Sequence, residues 1–197
     1  MLIAIIFSLL TGTLKLNAQL LDQKLLYTLN NWDSPFARVS FSILSGSVNP
    51  AIAGVSSYYI ISGYIKKDRE KVKNGVITGI SVAFATGTTT LLKYIIRRPR
   101  PYLENERIKK MGSGGGPSFP SGHTTAAFSL ATCICAIYQK PQVCIPAFLW
   151  STAAGISRIY LGVHYPTDVF GGMLIGTSIT LIVFSISQFR AFQIVSI

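Results

Sequence analysis

The sequence is poor in acid. Its 197 residues hold seven Asp and Glu against 18 Lys and Arg, for a formal net charge of +11. It has two histidines and three cysteines. Charged residues make up 13% of the chain, against about 25% in an ordinary soluble domain. Each shortage excludes something. No dense Asp, Glu, His and Cys cluster exists to hold a metal pair. Cys133, Cys135 and Cys144 are odd in number and lie inside apolar runs. They read as small buried hydrophobes, not as a disulfide framework or a metal site. The basic residues punctuate apolar segments and form no free tail, which argues against nucleic acid as a partner. No internal repeat or low-complexity segment is present.

What the chain has in excess is apolar surface: 49% of its residues are hydrophobic, and its mean hydropathy is +0.45. One domain fits the length, and the composition points to an all-α integral membrane helical bundle. Met1 to Ala18 reads either as a secretory signal cleaved after Ala18 or as an uncleaved anchor. Either sends the segment after Ala18 out of the cytoplasm and leaves residues 19–197 as a single membrane domain. Leu21, Leu25, Leu29 and Trp32 recur at helical spacing, with Asp22, Lys24 and Asn30 between them. That predicts an amphipathic helix on the membrane interface or capping the bundle, or else an ordinary packed helix.

Five spanning helices come next, six with an uncleaved N-terminus. They are Val39 to Ile65, with a kink expected at Asn49-Pro50, then Asn74 to Leu92, Thr124 to Gln139, Pro141 to Ser157 and Thr167 to Phe189. Lys66 to Lys73 is a charged loop, and Arg97 to Pro120 is a long irregular one containing Gly114-Gly115-Gly116-Pro117. Counting crossings in an up-down bundle puts three stretches on one membrane face: Lys93 to Arg100, His123, and Arg158 to Asp168. Basic residues are nearly balanced between the two faces, so charge barely orients the bundle. The signal-like N-terminus places the three stretches outside, facing the periplasm if the host membrane is a bacterial inner membrane.

These stretches carry chemistry. A phosphate monoester bears between one and two negative charges near neutrality. Lys93, Arg100 and Arg158 offer three cations, two of them planar forks that can grip a pair of phosphoryl oxygens. Ser121 can donate from its hydroxyl, and Gly122 lets its backbone N–H approach an anion. His164 has an orienting carboxylate in Asp168, four residues on. It can attack phosphorus and form a phosphohistidine. His123 can protonate the leaving alkoxide and then activate water. Arg97, Arg98, Arg107, Lys109 and Lys110 read as lipid headgroup contacts. Glycines 114 to 116 read as loop flexibility.

The order is Lys93, six residues, Arg100-Pro101; Pro120-Ser121-Gly122-His123; then Ser157-Arg158, five residues, His164, three residues, Asp168. It resembles the three-part signature of the type 2 phosphatidic acid phosphatase superfamily, over roughly Val39 to Phe189. That superfamily holds membrane lipid phosphatases and soluble vanadium haloperoxidases. Arg98-Pro99 mimics part of the first motif, but position 91 is Leu, so the spacing selects Arg100.

The resemblance implies a phosphatase/haloperoxidase-like bundle and a metal-independent lipid phosphatase with no cofactor. Its partners would be the bilayer and a lipid phosphate of the phosphatidic acid, phosphatidylglycerol phosphate, undecaprenyl diphosphate or lipid A class. A phosphotransferase with another acceptor and a non-catalytic membrane scaffold stay open as alternatives. The oligomeric state is open too. Uncharged spans argue against a soluble haloperoxidase.

Overall fold

The computed structural model describes residues 19–195, all helical in their regular structure. The signal-or-anchor reading of residues 1–18 lies outside them. Residues 19–30 form α1. Then come α2 (Pro35–Gly46), α3 (Val48–Ile65), α4 (Arg69–Ile96), the short α5 (Pro101–Glu104), α6 (Gly122–Tyr138), α7 (Pro141–Tyr160) and α8 (Pro166–Val195). Three stretches among the described residues are long and apolar enough to cross a membrane: Pro35–Ile65, Arg69–Glu104 and Pro166–Gln188.

The first of these stretches is broken, but upstream of the expected kink. Pro50 sits at the third position of α3. There its missing N–H costs little, but its ring crowds the carbonyl four residues back, at Gly46. The helix therefore stops at Gly46 and restarts at Val48, with Ser47 between.

α6 runs through the middle. Residues 124–133 are all buried, and the helix packs on α4, α7 and α8. A helix so enclosed need not be strongly apolar, because its hydroxyls find partners on its neighbours. Thr125 pairs with Thr89 of α4 at 2.8 Å, and Ser129 with Thr180 of α8 at 2.7 Å. α8 approaches closely through Gly172 and Gly176. A β-carbon there would meet Ser121 O at 2.6 Å and Thr125 O at 2.4 Å, the small-residue contact that membrane helices use.

Two sequence expectations need correction. On α1 the buried positions are Asp22, Leu26 and Asn30, whereas Leu21 and Trp32 are 56% and 55% exposed. Of the apolar stripe, Leu21, Leu25 and Trp32 thus face outward while Leu29 packs on the core, and of the polar residues Asp22 and Asn30 face in while Lys24 stays exposed. Asn30 shows why. Its amide donates to Lys109 O and Tyr160 O, both at 2.9 Å, and accepts from Lys109 N–H at 2.8 Å. The cysteines also differ from the reading. Cys135 and Cys144 form a disulfide, with Cα atoms 4.7 Å apart. The tight turn at Gln139, with φ of 51°, folds α7 back along α6 and stacks the two residues. Cys133 is free and buried, as expected.

Candidate active site

At the opposite end of α6 from that disulfide, four elements meet around a cavity of about 340 Å³. Lys93 and Arg100 line it from the end of α4 and the segment beyond. Gly122 and His123 come from the start of α6, Arg158 from the end of α7, and His164 from the turn before α8. Ser113, Gly114 and Gly115 of the long loop close it. All three stretches assigned to one membrane face thus share one space.

Local sequence explains each placement. Ser121 caps α6: its Oγ accepts from Thr124 N–H at 3.5 Å and from the Thr124 hydroxyl at 2.9 Å. Both lone pairs are then used, so the valence left to Ser121 is its O–H donor. Helix geometry leaves the N–H groups of Gly122 and His123 without an acceptor inside α6. Nothing stands within 4 Å of where a Gly122 β-carbon would project, so this end of the helix is open to an approaching group. Beyond α7 the chain must reverse sharply. Gly162 does this with φ of 72°, where a β-carbon would lie 2.3 Å from Lys109 O. That turn delivers His164 to the cavity and the Val163 carbonyl to Arg100.

The cations are held by backbone carbonyls of the 113–118 loop. Lys93 Nζ donates to Pro117 O at 2.7 Å and Ser118 O at 3.0 Å. Arg100 donates to Gly116 O at 2.9 Å, Gly115 O at 2.8 Å and Val163 O at 2.9 Å. Arg158 donates to Ser113 O at 2.5 Å and to Ser45 Oγ of α2. The loop therefore holds the charged ends of the cradle, and its glycines are more than flexible spacers. A β-carbon on Gly114 would collide with Arg100.

His164 is 2% exposed and Asp168 is fully buried. His164 Nδ1 lies 3.3 Å from Asp168 Oδ2, and its Nε2 lies 3.4 Å from Arg100 Nη1. The ring therefore has one nitrogen toward the carboxylate and the other toward the cation-lined cavity. Burial pushes the His164 pKa down to about 4, with Arg100 and Lys93 lowering it further, while the hydrogen bond and charge of Asp168 pull it up. His123, half-buried, is also pushed down to about 4, first by burial and then by Arg158, Arg100 and Lys93. Both rings are neutral at neutral pH before a ligand arrives.

One residue was misread. Arg98 reaches inward to carboxylates. Its Nη1 donates to Asp168 Oδ1 at 2.8 Å, its Nη2 to Asp22 Oδ2 at 2.8 Å, and it lies over the Tyr165 ring at 3.9 Å. Asp22 was missed as well. The available signal was scarcity: seven acids in the whole chain make one placed among leucines notable. Among the described residues, no group of three or more His, Cys, Asp or Glu side chains gathers.

Comparisons with known proteins agree with this geometry. A sequence model of the PAP2 superfamily matches residues 74–192. The chain is 30% identical over 170 residues to a lipid A 4'-phosphatase of Bacteroides thetaiotaomicron, covering 79% of this chain and 72% of that protein. It is 31% identical over 122 residues to the undecaprenyl-diphosphatase BcrC of Bacillus subtilis, covering 62% and 61%. Among solved structures, that of Aquifex aeolicus LpxE superposes with a TM-score of 0.71 at 27% identity, over 84% of this chain and 95% of that one. A transmembrane PAP2-type phosphatidylglycerolphosphate phosphatase of Bacillus subtilis shares the fold, with a TM-score of 0.72 at 21% identity over 86% of both chains. By family match, overall sequence likeness and fold, the chain belongs to the PAP2 superfamily, among its membrane lipid phosphatases.

Proposed function

We propose that the chain hydrolyses a lipid phosphate or diphosphate through a phosphohistidine on His164. The observation that supports this most is the two-sided setting of that ring: Nδ1 toward Asp168, Nε2 toward a cavity lined by Lys93, Arg100 and Arg158. A depressed pKa keeps His164 neutral and nucleophilic at neutral pH. In the first step Nε2 attacks phosphorus, the P–O bond to the lipid breaks, and His123 gives the leaving oxygen a proton. Asp168 accepts from Nδ1–H and stabilises the imidazolium as it forms. In the second step His123 takes a proton from water, which attacks the phosphohistidine and frees inorganic phosphate and His164. Lys93, Arg100, Arg158, the Ser121 hydroxyl and the Gly122 N–H stabilise charge on the equatorial oxygens.

His123 is neutral in the free protein, yet its first task needs a proton. The substrate supplies the condition. Its phosphate charge offsets the cations that hold His123 down and so favours the protonated form once it is bound.

The bundle crosses the membrane five times: α2 with α3, then α4, α6, α7 and α8. α6 and α7, of 17 and 20 residues, reach about 25 and 30 Å at 1.5 Å per residue, close to the hydrocarbon thickness. The site faces outward, to the periplasm of a bacterial inner membrane. Residues 19–197 act as one phosphatase domain. The substrate belongs to the phosphatidic acid, phosphatidylglycerol phosphate, undecaprenyl diphosphate or lipid A phosphate classes.

A phosphate-release panel across those four lipid classes in detergent micelles tests the reading, with product identification and with excess EDTA in parallel. Phosphate release that survives EDTA and is blocked by vanadate is expected. Transfer to a non-water acceptor, or loss on chelation with rescue by magnesium, would overturn it.

A further inference from the structure

We propose that Arg98 and Asp22 are positioning residues: Asp22, on α1, fixes Arg98, and Arg98 fixes the Asp168 carboxylate that orients His164. This rests on the reading of His164 as nucleophile.

Asp168 has two oxygens and two separate duties. Oδ2 is shared by His164 Nδ1, at 3.3 Å, and Tyr165 N–H, at 2.9 Å. Oδ1 faces Arg98 Nη1 at 2.8 Å. The carboxylate is fully buried, so without Arg98 one oxygen would be left charged, dry and free to rotate toward another donor. Rotation about its last bond would move Oδ2 off the imidazole. The Arg98 fork prevents this because its other amino group is anchored to Asp22 Oδ2 at 2.8 Å. Its face rests on Tyr165, the neighbour of His164.

Asp22 does a second task. Its Oδ1 accepts from Thr167 N–H at 2.9 Å, and its Oδ2 accepts from the Thr167 hydroxyl. It therefore caps the first turn of α8 from a different helix, at the residue between Pro166 and Asp168. Its side chain is only 5% exposed. Asp22 lies far upstream of residues 74–192, the span matched by the family's sequence model. α1 is thus a working part of the site and not an interface decoration.

Charge gives the assignment a signature that packing alone would not. Asp168 is faced by Arg98, by Lys93 of α4, by Arg100, and by His164 and Tyr165 of its own turn, with Asp22 behind Arg98. Removing the Arg98 charge makes protonation of His164 easier, and that moves the acid limb of phosphoenzyme formation to higher pH.

The experiment is single-turnover rapid-quench trapping of phosphate on the purified full chain in detergent, with an aryl phosphate as probe, across pH. Arg98→Gln should form phosphoenzyme about 10–100-fold more slowly, the usual cost of losing a group that orients a ligand or reacting side chain. Its acid limb should rise. Arg98→Lys should restore the position of the limb but only part of the rate, because an ammonium cannot fork two carboxylates. Asp22→Ala should be slow alone and should cost less in the Arg98→Gln background than it does alone, since its hold on Arg98 acts through Asp168 while its cap on Thr167 does not. If Arg98→Gln does not fold, Arg98→Lys and Asp22→Ala carry the same comparison. A normal rate and unmoved limb in folded Arg98→Gln, a limb left displaced in Arg98→Lys, or additive losses in the double variant would sink the proposal. Failure of the unaltered chain to trap phosphate would sink the His164 reading instead.

Discussion

A β-carbon on Gly114 would stand 2.6 Å from Arg100 Nη1, the amino group that donates to Val163 O and faces His164 Nε2. The loop that seals the cavity therefore touches the cradle at a point where only hydrogen fits.

Gly114→Ala should push the Arg100 guanidinium off its carbonyl partners. A charge-assisted hydrogen bond contributes about 1.5–3 kcal/mol, so phosphate-ester KM should rise about 10–100-fold, with some loss of thermal stability from the broken carbonyl hydrogen bonds. Gly79→Ala, on α4 with nothing within 4 Å of its β-carbon, is the control and should keep the parent KM. Steady-state kinetics decides, and equal KM values for both variants would remove Gly114 from the cradle.

Acid should spare the nucleophile. An ordinary histidine titrates near 6.5, whereas His164 is held at about 4. Phosphoenzyme formation at subsaturating aryl phosphate, which reports the free protein, should persist to about pH 5, well below the ordinary value. Stability runs the other way. The unfolded chain binds protons on these histidines first, so their contribution is fully present above pH 6.5 and is lost as pH falls toward about 4. Rapid-quench rates and melting curves against pH separate the two effects. A limb centred near 6.5 would contradict the neutral, buried ring.

The two histidines should fail differently. His164→Ala should form no phosphoenzyme. His123→Ala keeps the nucleophile and the cradle, but loses an acid and base that typically contribute about 10²–10⁴-fold. With an aryl phosphate, whose leaving group needs little protonation, it should still phosphorylate His164 and then stall. Trapping on the His164 variant but not the His123 variant would swap the roles.

Much of this was legible from residue order. The motif spacings singled out the side chains that line the cavity, and the apolar runs located α4 and α8. Two things were not. Hydrophobic periodicity says which face of a helix is apolar, but not where that face points. On α1 the hydrogen-bond partners decide: Asp22 is drawn in by Arg98 and Thr167 and Asn30 by Lys109 and Tyr160, so both are buried and Leu21 is not. Arg98 was hidden for a related reason. Local sequence shows it as one of several arginines in a row, and only folding brings Asp22, 76 residues away, to its other side.

The long loop should lie outside and Lys66 to Lys73 inside. With Cys133, Cys135 and Cys144 replaced, a cysteine at the exposed Asn105 should react with an impermeant thiol reagent in intact cells. Labelling that waits for lysis would invert the bundle.

The link between Cys135 and Cys144 then becomes a compass needle. It sits at the far end of α6 from His123, about 20 Å along the axis at 1.5 Å per residue. With the site outward, as proposed, that end meets the cytosol, where small thiols would open the pair that the structure shows closed. With the site inward, it meets the oxidising side, where the pair closes. The two sulfurs, trapped with a fast alkylating agent before lysis, would record which way the whole molecule points. They would do so without altering a single residue.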